Sequence, residues 1–391
     1  MTDQKDIRTA TLLATASLSP DDNHGIPNPP IYRASTIFSQ TMAHYRGEQP
    51  SEFDYGRVGT PTSQAFEKAV SALYGADDTI STPSGLSAVV SALLAFAKSG
   101  DHILFPDSLY GSSRRFVTKM LANYGMEITF YPARINGNIV DFIKENTAIL
   151  YLESPGSLTF ELQDIPLMVD IAKKRAITTL IDNTWGTALH HNALDKGVDV
   201  VIEAATKYIT GHADVNLGIA CARGHHAKIL RQSATMLGIC AGPEDLYLGL
   251  RGLRTMSLRL KQSESSGLAL AQFTEQQDEV LCVMHPALES SPDHALYQRD
   301  FTGSCGLFGF ILSPSLSQQT IDKAAESLSL FNIGASWGGF ESLITQSVLH
   351  KGARQHPTGL PDGYVMRLYA GLEDQQDLLD DLGRFFAALR S

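Results

Sequence analysis

The sequence predicts an α/β protein: a mostly parallel sheet covered by helices on both faces, followed by a smaller α+β domain. Two observations predict it. Between about residues 58 and 253, short apolar runs alternate with helical stretches, as they do when each strand of a parallel sheet is followed by a covering helix. Beyond about residue 254 the order changes to a glycine-punctuated strand, an amphipathic helix, another strand and a terminal helix.

Taken in chain order, residues 1–57 contain HGIPNPPIYRAST and GEQPSEFDYGR, rich in proline and polar residues and without periodicity. Such a stretch reads as an extended arm that lies on something else. In residues 58–253 the predicted strands are ILFP (103–106), EITFYP (127–132), AILYLE (148–153), TTLID (178–182) and VDVVIE (198–203). The last of these runs on through small residues to Lys207. In residues 254–391 a long helical stretch, LRTMSLRLKQSESSGLALAQFTEQQ, precedes the strand GSCGLFGFIL, the helix IDKAAESLSL and the strand YVMRLYAG. GSCGLFG lacks the strand-then-helix setting of a dinucleotide loop, so its glycines indicate close strand packing.

Composition narrows the function. With 391 residues, 43% hydrophobic, 19% charged and a net charge of −11, the chain has no basic surface to neutralise a phosphate backbone, so nucleic acid is not an expected partner. The N-terminal MTDQKDIRTATLLATAS is not patterned as an export leader, and no apolar run approaches the ~18 residues of a membrane span. Cys221, Cys240, Cys282 and Cys305 show no C-x-x-C spacing, which fits a reducing cytoplasm and suggests neither disulfides nor zinc. The pairs His190-His191 and His225-His226, read as extended chain, point to opposite sides and make poor joint metal ligands.

Reactive residues gather where parallel strands end, the place where such sheets bind ligands. TTLI ends in Asp182, AILYL in Glu153, and VDVVIE is followed by Thr206 and Lys207. An acid and a lysine at the ends of successive strands can face one site; a salt bridge between strand ends is the plainer alternative. TPSGLSAVVSALLAF (82–96) leads small residues into an apolar helix, presenting free N–H groups to an anion, or using Ser84 only as an N-cap. Together, a lysine to meet an aldehyde, an acid for a ring nitrogen and a helix start for a phosphate are the parts that hold pyridoxal 5'-phosphate.

Ordered motifs make this specific: YGRVGTPT (55–62), PSGLSAV (83–89), DSLYGSSR (107–114), YLESPGS (151–157), IDNTWG (181–186), AATKYITGHAD (204–214), SWGGFESL (336–343) and MRLYAGLED (366–374). Over nearly its whole length the chain resembles the cysteine and methionine metabolism family of pyridoxal-phosphate enzymes, and within it the bacterial β-lyase branch. The resemblance implies an aspartate-aminotransferase-like (fold type I) architecture. It further implies that Lys207 bonds covalently to the coenzyme and moves the proton, that Asp182 pairs with the pyridine nitrogen, and that Tyr110 stacks over the ring. Gly85, Leu86 and Thr206 would hold the phosphate, while Tyr55 and Arg57 would reach the phosphate of a neighbouring subunit. Arg367 would grip the substrate carboxylate, with Ser336, Trp337 and Tyr55 lining the substrate side. The implied reaction is α,β-elimination of L-cystathionine to homocysteine, pyruvate and ammonia, in a homotetramer of two dimers.

Relatives acting at Cγ share the lysine site, so the branch rests on smaller signals. Trp337 after Ser336, the ESPGS stretch and Ala204 resemble the β-lyases. Ala335 stands where relatives carry tyrosine or glutamate, which leaves the distal pocket more open and admits other cysteine S-conjugates. A hydrolase is the rival from another class, because Gly334-Ala335-Ser336-Trp337-Gly338 reads G-x-S-x-G. After Ser336 the histidines are His350 and His356, Asp362 follows both, and Glu341 reads as sharing a helix with His350, so the serine–acid–histidine order is poorly met. A relative that binds the coenzyme without turnover is a third reading, against which lysine, aspartate, tyrosine and arginine stand together.

Overall fold

The computed structural model describes residues 7–18, 20–347 and 354–391. Among these, seven strands form the central sheet: β1 (Asp78–Thr82), β2 (His102–Pro106), β3 (Glu127–Tyr131), β4 (Thr147–Glu153), β5 (Thr178–Asp182), β6 (Val200–Glu203) and β7 (Gly218–Ala222). Their order is β1-β7-β6-β5-β4-β2-β3. β7 pairs antiparallel with both neighbours, whereas β6, β5, β4, β2 and β3 pair in parallel. The sheet is therefore mostly parallel, as the alternation implied. Ile149, Leu150, Tyr151 and Leu152 of β4 are all buried, because helices cover both faces of such a strand.

β1 and β7 were not among the expected strands. Their sequences, DTIST and GIACA, are short and made of small or hydroxylated residues, so they lack an apolar run to stand out. The apolar run before Lys207 stops being a strand at Glu203, and Lys207 sits in the turn that follows. The helix Pro61–Tyr74 carries its own boundary signals. Thr60 and Ser63 form a capping box, Pro61 opens the first turn, and Gly75 closes it with φ +63°, a left-handed conformation that glycine adopts without strain.

A second sheet has the order β10-β11-β12-β9-β8, with β8 (Val280–Met284), β9 (Leu307–Leu312), β10 (Asn332–Ile333), β11 (Leu343–Ser347) and β12 (Tyr364–Tyr369). The helices Met256–Glu275 and Gln375–Leu389 cover it. Leu378, Leu382, Phe385 and Phe386 are fully buried there, each stabilising by roughly 1.5–3 kcal/mol.

Several expectations change. Within the stretch read as an extended arm, Thr9–Thr15 is helical and buries Leu13; beyond it, Phe38, Met42 and Tyr45 lie exposed on this chain. His225 and His226 open the helix Gly224–Met236 with ring centroids 3.8 Å apart, so they do not diverge as extended neighbours would. Among the described residues, no cluster of three or more histidine, cysteine or acidic side chains is placed to hold a metal. Glu341 lies in a bend before β11, not in a helix, and His350 falls outside the described residues.

Candidate active site

The carboxyl ends of β4, β5 and β6 open into a pocket of about 420 Å³. β5 delivers Asp182, β4 delivers Glu153, and the turn after β6 delivers Thr206 and Lys207. The start of the helix Gly85–Phe96 adds Gly85 and Leu86, Tyr110 comes from the loop after β2, and Arg367 from β12. Ala335, Ser336 and Trp337 close it from the segment between β10 and β11. Residues from both sheets thus meet at one place.

Two glycines allow this convergence. A Cβ on Gly85 would lie 2.6 Å from the Ala204 Cβ, so the helix start packs directly on the segment leading to Lys207. Gly338 has φ +87°, and a Cβ there would lie 2.9 Å from the Lys207 Cα. Between them Ser336 adopts φ +86°, a conformation costing on the order of 1–3 kcal/mol for a residue with a side chain. Its result is a double contact: Ser336 Oγ accepts from Lys207 Nζ at 2.5 Å, and Ser336 O accepts from Arg367 Nη2 at 3.1 Å. The indole of Trp337 stands on another side of the amine, 5.3 Å from Nζ to the ring centroid.

Burial, and then the positive charge of Arg367, push the Lys207 amine down to about 8, against the opposite pulls of Asp182 and Glu341. Burial raises Asp182, while Thr184 and the charge of Lys207 draw it back. The Thr184 N–H and Oγ1–H both donate to Asp182 Oδ1, at 3.0 and 2.6 Å; Oδ2 accepts from no described residue. On the flanking strands, burial first and the charge of Asp182 second raise Glu153 well above the carboxylate range. Burial likewise lifts Glu203 to about 8. Asp182 is therefore flanked by two buried acids whose proton affinity burial raises.

These residues fit pyridoxal phosphate. The Gly85 and Leu86 N–H groups donate to no described residue, since Ser84 Oγ accepts from Ser87 N–H instead; Ser84 is thus an N-cap that leaves an anion cradle beside it. Asp182 offers an unused oxygen, and Lys207 is an amine that sheds its proton near pH 8 rather than above 10. Thr206 lines the pocket, but its hydroxyl donates to Leu217 O at 3.0 Å, for which a phosphate would compete.

Tyr110 is half-exposed, its N–H held by Glu153 Oε2 at 2.9 Å. Tyr55 and Arg57 do not line this pocket. Arg57 instead lies 6.0 Å over the Tyr55 ring, and its Nη1 donates to Thr235 O. The sequence reading missed Thr184, although an aspartate bonded two residues on is a recurrent turn signal. It also missed a buried set behind the strands, in which Tyr74 OH donates to Glu203 Oε2 and accepts from Asn183 Nδ2. A lone acid within the apolar VVIE was the one trace of it.

The depressed lysine leads to a measurable pH profile. Only the neutral amine attacks an aldehyde, so stripped enzyme should recapture pyridoxal phosphate at a rate that rises with pH through about 8 and then levels. An ordinary lysine would still be gaining at ~10. Stopped-flow absorbance reads this directly, and a profile still climbing above pH 10 would contradict the environment described.

Comparisons with known proteins place the chain in a family. A model of the Cys/Met metabolism PLP-dependent enzyme family matches residues 10–387. Cystathionine beta-lyase MetC of Escherichia coli (strain K12) is 37% identical over 394 residues, covering 98% of this chain and 99% of its own. L-alanine/L-glutamate racemase of Wolbachia pipientis wMel is 35% identical over 396 residues, 98% of each chain. The crystal structure of cystathionine gamma synthase from Xanthomonas oryzae pv. oryzae, in complex with aminoacrylate and cysteine, matches with a TM-score of 0.91 at 27% identity over 99% of each chain. The chain belongs to the Cys/Met metabolism family of PLP-dependent enzymes.

Proposed function

We propose that this chain is a carbon–sulfur lyase that cleaves L-cystathionine on its β side, taking up one water to give homocysteine, pyruvate and ammonia. When bound, the coenzyme supplies an electron sink for the pair left on Cα. Arg367 holds the substrate carboxylate with a planar, two-pronged donor. The Lys207 amine takes the Cα proton, a task suited to a group whose pKa is near working pH. As the Cβ–S bond breaks, its electron pair leaves on sulfur, and the resulting ammonium of Lys207 can return a proton to the thiolate.

The observation that carries the β assignment is the setting of the Lys207 amine. γ-Elimination needs a second proton removal, at Cβ, before sulfur can leave from Cγ. Here Ser336 Oγ holds the amine and the Trp337 ring stands beside it, which favours a base serving one carbon. The experiment is to identify the products from L-cystathionine. Pyruvate with homocysteine supports the assignment; 2-oxobutyrate with cysteine would move the chain to the γ-acting relatives, and turnover of L-alanine to D-alanine alone would favour a racemase.

Tyr55 and Arg57 act, in this reading, on the coenzyme phosphate of a neighbouring subunit. Their absence from this chain's pocket and the exposure of Phe38 at 92% and Tyr45 at 75% support an arm that lies on a second copy, in a dimer or a pair of dimers. Among the described residues, no helix is long and apolar enough to cross a membrane. All four cysteines are free, which suits a reducing cytoplasm.

A further inference from the structure

One wall of the active-site pocket is built in a conformation that its own residues do not favour. Gly156, Ser157, Leu158 and Phe160 line the pocket on the loop after β4. Leu158 has φ +69° and Phe160 φ +57°, left-handed values that large side chains rarely adopt and that persist only where surrounding structure enforces them. Local bonds hold the two ends of the loop: Ser157 N–H donates to Ser108 O at 3.0 Å, and Gly156 N–H to Glu161 O at 2.9 Å. The middle is held partly from within, where Phe160 N–H donates to Gly156 O at 3.0 Å and Thr159 Oγ1 to Glu161 Oε2 at 2.5 Å, and partly from outside.

Arg354, on the connection between β11 and β12, supplies that hold. Its Nη1 donates to Glu161 Oε1 at 2.7 Å, and its Nη2 donates to Ser157 O at 3.1 Å and to Thr159 Oγ1. Glu161 is buried, and the arginine side chain is only 13% exposed, so the pair is desolvated and its geometry constrained. The next two N–H groups, of Gln355 and His356, both donate to Asp107 Oδ2 at 2.7 Å, docking the same segment beside the loop that carries Tyr110. Arg354 does not itself line the pocket. A residue of the second sheet's connection thus fixes the shape of a wall belonging to the first.

The geometry points to Arg354 as a positioning residue for specificity: through Ser157, Thr159 and Glu161 it sets the Leu158–Phe160 wall against which the distal arm of a long amino-acid substrate lies. This rests on the proposed cystathionine chemistry for the length of that arm. It does not depend on which C–S bond breaks.

Equilibrium binding separates this role from plain structural support. The probes are 2,7-diaminosuberate, which has the length of cystathionine but no C–S bond, and glycine, which has no arm; each is titrated into coenzyme-loaded protein by visible absorbance. In Arg354→Met the dissociation constant for diaminosuberate should rise about tenfold while that for glycine moves less than about twofold, with Arg354→Lys intermediate because it keeps the charge but not the fork. Thr159→Val, which keeps the arginine but removes the hydroxyl that accepts from Arg354 Nη2 and donates to Glu161 Oε2, should shift the long probe alone by a few-fold and serves if the arginine variants do not fold. An equal change for both probes, or none for either, would overturn the assignment, as would wild-type protein that binds diaminosuberate no better than glycine. Failure of the β-cleavage reading shows elsewhere, in the products from L-cystathionine.

Discussion

Lys207→Ala should abolish product formation from L-cystathionine, by at least about 10³-fold, because in the proposed reaction one side chain supplies both the covalent attachment and the proton transfer. Pyruvate release measures the loss, and borohydride reduction of wild-type enzyme should fix the coenzyme's mass on the peptide containing Lys207. Unfolding cannot explain the result. The amine's pKa is lowered from 10.5 to about 8, so below pH 8 the folded stripped protein carries a charge it disfavours. That cost is relieved only as pH rises from 8 towards 10.5. Removing the lysine should therefore stabilise the stripped protein, most of all below pH 8, while activity vanishes. Lys207→Arg should be equally inactive, since it keeps a positive charge but never deprotonates. Turnover by either variant at more than a few per cent of wild type would sink the assignment of Lys207.

Much of this site was legible because it sits at the ends of strands that announce themselves. AILYLE and TTLID are apolar runs with a single terminal acid, and in a buried parallel strand such an acid can emerge only at the edge where ligands bind. Lys207 was legible for the same reason, although its strand stops earlier than its apolar run. What stayed hidden depends on long-range contact. Nothing in VVIE indicates that Tyr74, 129 positions earlier, donates to Glu203. Ser336 lies in a G-x-S-x-G pattern that reads as a hydrolase signal, yet its hydroxyl accepts from Lys207 and its carbonyl from Arg367. β1 and β7 escaped notice because small and hydroxylated residues form strands only when neighbours pair with them. Tyr55 and Arg57 meet each other and Thr235 O within this chain and do not line its pocket, so their proposed role on a neighbouring subunit has no trace in a single chain.

Arg367→Leu should raise the KM for L-cystathionine by about 10²-fold with a smaller loss in kcat, as expected when two charge-assisted hydrogen bonds of ~1.5–3 kcal/mol each are lost. Arg367→Lys should recover little, because a point charge cannot reproduce a planar fork aimed at a carboxylate. The guanidinium also acts on the amine it faces across Ser336. Burial lowers the Arg367 guanidinium itself, and its charge is the second cause depressing Lys207, after burial. Removing that charge should let the Lys207 pKa rise, so the pH profile for recapture of pyridoxal phosphate by stripped enzyme should move to higher pH in both a leucine and a glutamine variant. A residue that only braced the second sheet would move neither that profile nor the KM. If KM rises while the profile stays in place, Arg367 binds substrate but does not tune the lysine; if both stay unchanged, the substrate carboxylate is held by another group and the proposed orientation in the pocket is wrong.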